Sequence, residues 1–199
     1  YIAVRSCKLK YLPFPLSPGR RAQHGFTLVE LVVTIALVAI LTSLAMPDFS
    51  ETLRNWRRDS ATRALTSSLQ MARSEAIKST RKVMLCPSTT GTSCATGTEW
   101  RNGWMVFVDD GATDQAFNTG ERVLEATSSQ SGIASLTSSA NVEFLQFLPN
   151  GLMAAGSTSG AKTGATTFTV TPTGATSATL VNKVAVSAVG RPTVTTVHP

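Results

Sequence analysis

Apolar and polar residues are arranged in three different ways along this chain. From Leu28 to Met46, 19 consecutive positions carry one charge, Glu30, and apolar side chains fall on every face that a helix would have. At 1.5 Å per residue such a helix is about 28 Å long, close to the ~30 Å hydrocarbon core of a bilayer. Further on the pattern turns amphipathic. Leu53, Trp56, Ala61, Ala64, Leu65, Leu69, Ala72, Ala76 and Ile77 recur at three- and four-residue steps, while Arg54, Arg57, Arg58, Arg63, Arg73 and Lys78 occupy other angles. These two patterns predict one long helix from about Phe26 to about Ser79, with Pro47 as a point of kinking.

Beyond Arg81 the pattern becomes short apolar runs separated by turn residues. Strands are predicted at Lys82–Cys86, Gly103–Val108, Arg122–Ala126, Val142–Leu148, Thr166–Thr171 and Ala178–Ala188. Turn signals lie between them at Asp110-Gly111, Asn118 to Gly120, Asn150-Gly151 and Thr173-Gly174. Residues 154–166, built of Ala, Gly, Ser, Thr and one Lys, read as a mobile loop. The fold class expected is α+β: a long N-terminal helix, transmembrane in its first half, packed on an antiparallel β-rich head. Abundant Gly, Ser, Thr and Ala and only 7% aromatic residues suit such a head better than a helical bundle.

Charge refines the picture. Residues 1–25 hold Arg5, Lys8, Lys10, Arg20 and Arg21 and no carboxylate, leaving 13 Lys+Arg against 12 Asp+Glu in the remainder. The net +6 therefore belongs mainly to the N-terminal segment and is poor support for a nucleic-acid partner. Arg20 and Arg21 before the apolar run place the N-terminus in the cytoplasm and everything after Pro47 outside. A buried core helix is disfavoured because all faces of the run are apolar. A cleaved secretory signal has the right layout, but no Ala-x-Ala site follows and the helical pattern continues past the run. A retained membrane anchor fits best. In residues 51–82 eight cations face three carboxylates (Glu51, Asp59, Glu75). Either a stripe for DNA or anionic lipid, or a solvated helix face beside headgroups or acidic neighbours, accounts for them; the second is the simpler reading.

A carboxylate just inside an apolar span is costly unless it finds a partner. His24-Gly25-Phe26-Thr27-Leu28-Val29-Glu30-Leu31 resembles the processing site of type IV prepilins and type II secretion pseudopilins. The resemblance implies cleavage after Gly25 by a prepilin peptidase and methylation of the new N-terminal Phe26. Glu30 falls at the family's acidic position, where it would neutralise the α-amine of a neighbouring subunit within lipid. The segment before Gly25 is longer than the family's short basic leaders, implying a long leader or upstream sequence read in. The division expected is a removed leader at 1–25, a hydrophobic helix serving as membrane anchor and filament core at 26–53, and an extracytoplasmic head at 54–199.

Further along, Cys86-Pro87, Cys94, Trp100-x-x-Gly103-Trp104-x-Val106-Phe107-x-Asp109, Phe147-x-Pro149-x-Gly151 and Val186-Ser187-x-x-Gly190-Arg191 resemble the FimT/GspH family of minor pilins and pseudopilins. That implies a non-enzymatic filament subunit, held in the inner membrane with its head in the periplasm before joining a pilus or pseudopilus. The partners implied are the peptidase, other pilins and membrane lipid. Two other roles stay open: a type II secretion pseudopilin, and a DNA receptor for natural transformation. Some FimT-like proteins linked to DNA uptake carry Gly-Arg-x-Arg near the C-terminus. Here Gly190-Arg191-Pro192-Thr193 keeps only the first Arg, with Lys183 as a further candidate cation. One Arg supplies one phosphate contact, and useful affinity needs several.

Removal of residues 1–25 takes Cys7 away and leaves Cys86 and Cys94. In a periplasmic head these two argue for a disulfide. A zinc site would need more ligands than His198, the one remaining histidine, supplies. Redox catalysis would ordinarily show two intervening residues rather than seven. Asp109, Asp110 and Asp114 surround Gly111 and are candidate calcium ligands, although their spacing does not follow an EF-hand and a solvated acidic turn is the simpler reading. No Ser/His/Asp set, HExxH or phosphate-binding Gly loop is present, so no enzyme and no cofactor is expected.

Overall fold

The computed structural model describes residues 25–110, 116–157 and 162–198, with the side chains of 44–48, 140 and 162–163 outside that description. The leader cations, Cys7, His24, Gly111 and Asp114 therefore lie outside the described residues. The chain divides into two compact units, Tyr1–Ala45 and Met46–Pro199. One helix, α1, runs Leu28–Ser79, close to the predicted extent. Thr27 caps it: its Oγ1 accepts the Glu30 N–H at 3.2 Å, satisfying one of the unpaired donors of the first turn. At the other end Thr80 adopts φ 55°, a left-handed conformation that stops the helix.

In the first unit, the apolar side chains from Leu28 to Leu41 are half-exposed or more on all sides of the helix. Among the described residues no helix is long and apolar enough to cross a membrane. The described side chains of the apolar run end at residue 43, short of its full length.

Among the described residues, the second unit holds the rest of α1 and ten strands. β1 (Lys82–Pro87), β2 (Trp104–Asp109), β3 (Val123–Thr127), β5 (Phe144–Phe147), β6 (Met153–Gly156) and β7 (Lys162–Thr163) form a six-stranded sheet in the order β3-β2-β1-β5-β6-β7. β4 (Ile133–Ser138), β8 (Thr166–Pro172), β9 (Val181–Val186) and β10 (Pro192–Val197) form a second sheet in the order β10-β9-β8-β4. Every pairing is antiparallel.

Strand alternation sorts the core into two clusters. Val83 and Leu85 of β1, Trp104, Val106 and Val108 of β2, and Leu145 and Phe147 of β5 join the main core. Their alternates Met84, Cys86, Met105, Phe107 and Phe144 make a smaller cluster on the other face. The main core is completed by Ala61, Leu65, Leu69, Ala72 and Ala76 of α1 and by Phe168, Val170, Val184 and Val186 of the second sheet. Burying each such Leu or Val contributes about 1.5–3 kcal/mol. Trp104 is fixed at its polar edge as well, donating from Nε1 to Ser68 Oγ at 2.9 Å, and that hydroxyl reaches Glu125 Oε1 at 3.0 Å.

Two helix positions correct the sequence expectation. Trp56 is 61% exposed and Ile77 46%, because each sits well off the 61-65-69-72-76 stripe when turned at 100° per residue. Residues 154–166 are not one loop either: Met153–Gly156 pairs with β5, and Lys162–Thr163 pairs with β6. Small residues suit this place because Phe144 lies against it; a Cβ on Gly156 would come within 2.6 Å of that ring.

Candidate functional site

Among the described residues, nothing crowds the start of the Gly25–Glu30 motif. An added Cβ at Gly25 meets nothing within 4 Å, and Phe26 is 81% exposed. Glu30 lies in the first turn of α1, one turn beyond the Thr27 cap, so helix geometry holds its carboxylate near the helix start. The exposed apolar surface that follows is far more than an isolated soluble helix would carry, and marks an interaction surface.

Cys86 and Cys94 are joined by a disulfide, with their Cα atoms 5.6 Å apart. The loop they close is tied down by short-range bonds. Ser88 Oγ donates to the Ser93 carbonyl at 2.6 Å and accepts the Gly91 N–H at 2.9 Å. Ala95 N–H reaches the Pro87 carbonyl at 2.7 Å. Downstream, Glu99 Oε1 accepts the N–H groups of Arg101 (3.1 Å) and Leu136 (2.9 Å), anchoring the connection to β4. These bonds make the disulfide part of a covering over the smaller core cluster, which contains Cys86 with Cys94 packed against it.

Arg191 and Lys183 are held by β9 and β10, in different settings. Arg191 sits in the β9–β10 turn, where Gly190 at φ 68° donates its N–H to the Ser187 carbonyl at 2.8 Å. With Gln70, Arg73, Ser74, Gly190 and Pro192 it lines a cavity of about 390 Å3. Lys183 is exposed within β9, opposite Thr169 of β8 and Thr195 of β10, and is not part of that cavity. The cation beside Arg191 is Arg73, whose Nε donates to the Gly151 carbonyl at 3.2 Å. Sequence reasoning left Arg73 among the helix cations, in a stripe for DNA or anionic lipid or, more simply, on a solvated face, with no link to Arg191.

The acidic turn has other partners. Asp109 is buried and accepts from Gln146 Nε2 at 3.1 Å, while Asp110 pairs with Arg81. Among the described residues no group of three or more His, Cys, Asp or Glu is arranged to hold a metal ion. Arg58, expected on the outer helix face, is buried. It bonds to Asp59 Oδ1, to Asn55 Oδ1 at 3.0 Å and to the Leu180 carbonyl at 3.1 Å. Its seven-residue distance from Leu65 puts it on the inward stripe, a signal that its charge obscured.

A crystal structure of the type IV minor pilin FimU from Pseudomonas aeruginosa PAO1 superposes with a TM-score of 0.51, at 21% identity over 72% of this chain and 91% of that one. A second crystal form of FimU gives 0.48, at 20% identity over 69% and 91%. At this identity the likeness concerns the fold. The prokaryotic N-terminal methylation motif matches residues 20–46, and the family described as type II transport protein GspH matches residues 61–190. With that match covering well over half its length, the chain belongs to the GspH family of type IV minor pilins and pseudopilins.

Proposed function

We propose that the chain is a minor structural subunit of a type IV pilus, cut between Gly25 and Phe26 and built into the filament through its apolar helix. The supporting observation is the methylation motif at 20–46 leading into a helix whose apolar side chains are exposed on all sides. Such a surface needs lipid before assembly and neighbouring helices afterwards. On this reading residues 1–25 are the removed leader, 26–53 the anchor and filament core, and 54–199 the exported head. The new amine of Phe26 and the carboxylate of Glu30 are then opposite charges in an apolar setting, each costly alone and favourable as a pair between subunits. Glu30→Ala is expected to be processed normally yet to fall well below wild type in sheared filaments, read by quantitative blotting. Wild-type incorporation would remove the charge pair from the account.

A type II secretion pseudopilin shares every one of these parts and differs in the machine it joins. A DNA receptor gains one supporting observation, that Arg73 joins Arg191 at a single cavity and adds a second cation to the first. Binding to duplex DNA that weakens with salt and with Arg191→Ala favours that role. No binding at low salt leaves the assembly role.

A further inference from the structure

Between α1 and β10 lies a groove used by neither the processing motif nor the disulfide. Thr62, Arg63, Thr66 and Gln70 of the helix face Val194 and Thr196 of the strand across a volume of about 440 Å3. Gln70 also lines the cavity of Arg73 and Arg191, so the two adjoin along the helix.

β10 is the edge strand of its sheet, and Thr193 to Val197 are uncharged and mostly exposed. The Ser187 N–H donates to the Arg191 carbonyl at 3.2 Å, which sets the phase of the β9–β10 ladder. Antiparallel pairs alternate between bonded and non-bonded, so with Thr193 opposite Ala185 and Thr195 opposite Lys183, those two residues bond to β9. Val194 and Thr196, which line the groove, then direct their N–H and C=O groups away from β9. Pro192 falls on the same outward phase, where a missing N–H removes no ladder bond. Among the described residues, no bond outside the ladder engages the backbone of Val194 or Thr196. Natural edges are usually blunted by charge, bulges or cover, and this one carries none of these from Thr193 to Val197.

Charge selects the kind of strand that fits. Arg63, Arg73 and Arg191 line the two cavities, while Asp59, the carboxylate there, is engaged by Arg58 and by Asn182 Nδ2 at 3.0 Å. A second copy of this chain would bring the same arginines face to face, so self-pairing is opposed. A nucleic-acid backbone has the right charge but no amide donors for the outward carbonyls, and neither cavity is lined by an aromatic side chain on which a base could stack. We propose that the α1–β10 groove binds an extended acidic segment of a different polypeptide, which extends the sheet by pairing with Val194 and Thr196. Its carboxylates meet Arg63, Arg73 and Arg191.

The test is fluorescence anisotropy of the full-length protein in detergent with a labelled octapeptide of alternating Glu and Val. A second peptide of the same sequence is N-methylated at alternate residues, keeping charge and length but losing edge bonds. The proposal predicts saturable binding of the first peptide, weakened about tenfold or more by N-methylation, by Val194→Pro and by Arg191→Glu. Val194→Pro removes an outward donor and no ladder bond, and because its ring also fixes φ, far-UV circular dichroism checks that it folds; if it does not, the N-methylated peptide on the wild-type protein decides. No binding of the first peptide, or equal binding of both peptides, overturns the proposal. Tighter binding of single-stranded or duplex DNA, with the same sensitivity to Arg191→Glu, would make the groove a nucleic-acid surface and overturn it equally.

Discussion

Gly103 and Gly25 show how differently two glycines in one chain are constrained. Gly103 has φ 118°, and a Cβ there would meet the Thr127 carbonyl and lie 2.7 Å from that of Ser88, both backbone atoms that cannot turn aside. Gly103→Ala is expected to cost about 2–4 kcal/mol in urea unfolding, since backbone strain and steric overlap act together. A change below 0.5 kcal/mol, roughly the scatter of surface substitutions, would show that the turn relaxes freely. At Gly25 an added Cβ meets nothing within 4 Å among the described residues, so any loss of processing in Gly25→Ala reports what a peptidase requires and not a damaged fold. Single residues were legible in sequence where one rule governed them. Cys86 and Cys94 were the two cysteines left to the head, and they are joined. Arg58 was misread because a charge normally faces water, and here a partner carboxylate and a backbone carbonyl draw it inward.

At the scale of elements, legibility follows periodicity. The helix was readable over its length because its apolar pattern persists and Thr27 supplies a cap. β1 and β2, apolar and buried on both faces, were also plain. β4 was not: a register shift between Ile133 and Ser135 leaves its buried residues Ile133 and Leu136 three apart, which breaks the alternation of a strand. β6 is made of small residues, and β10 is mostly exposed threonine, so neither carries the apolar signal that burial imposes. The disulfide is a prediction at this scale. It closes a loop between residues eight apart, and chain entropy assigns it about 2–3 kcal/mol. Reduction should lower the unfolding free energy by that amount without abolishing the fold, because the larger core cluster contains neither cysteine. Complete unfolding on reduction would mean that the disulfide loop organises more than the smaller cluster.

The whole molecule combines an exposed apolar helix with a head whose core is formed by that helix's continuation and two antiparallel sheets. On the proposed reading these parts serve assembly, with the exposed apolar helix as the surface that meets neighbouring subunits. Sequence alone carried the family because the methylation motif and the GspH segments are local strings. It could not bring Arg73 beside Arg191, which are separated in the chain by β1 to β9 and meet only when the β9–β10 turn is folded back against α1. The proposed assembly role rests most directly on the cut after Gly25. Intact-mass and N-terminal peptide mass spectrometry of the protein made in cells containing a prepilin peptidase tests it, with Gly25→Ala alongside. The mature chain should begin at N-methylated Phe26, and Gly25→Ala should remain uncut in the membrane fraction. An N-terminus at any other residue, or the same product from Gly25→Ala, would contradict the assigned processing site and the assembly role built on it.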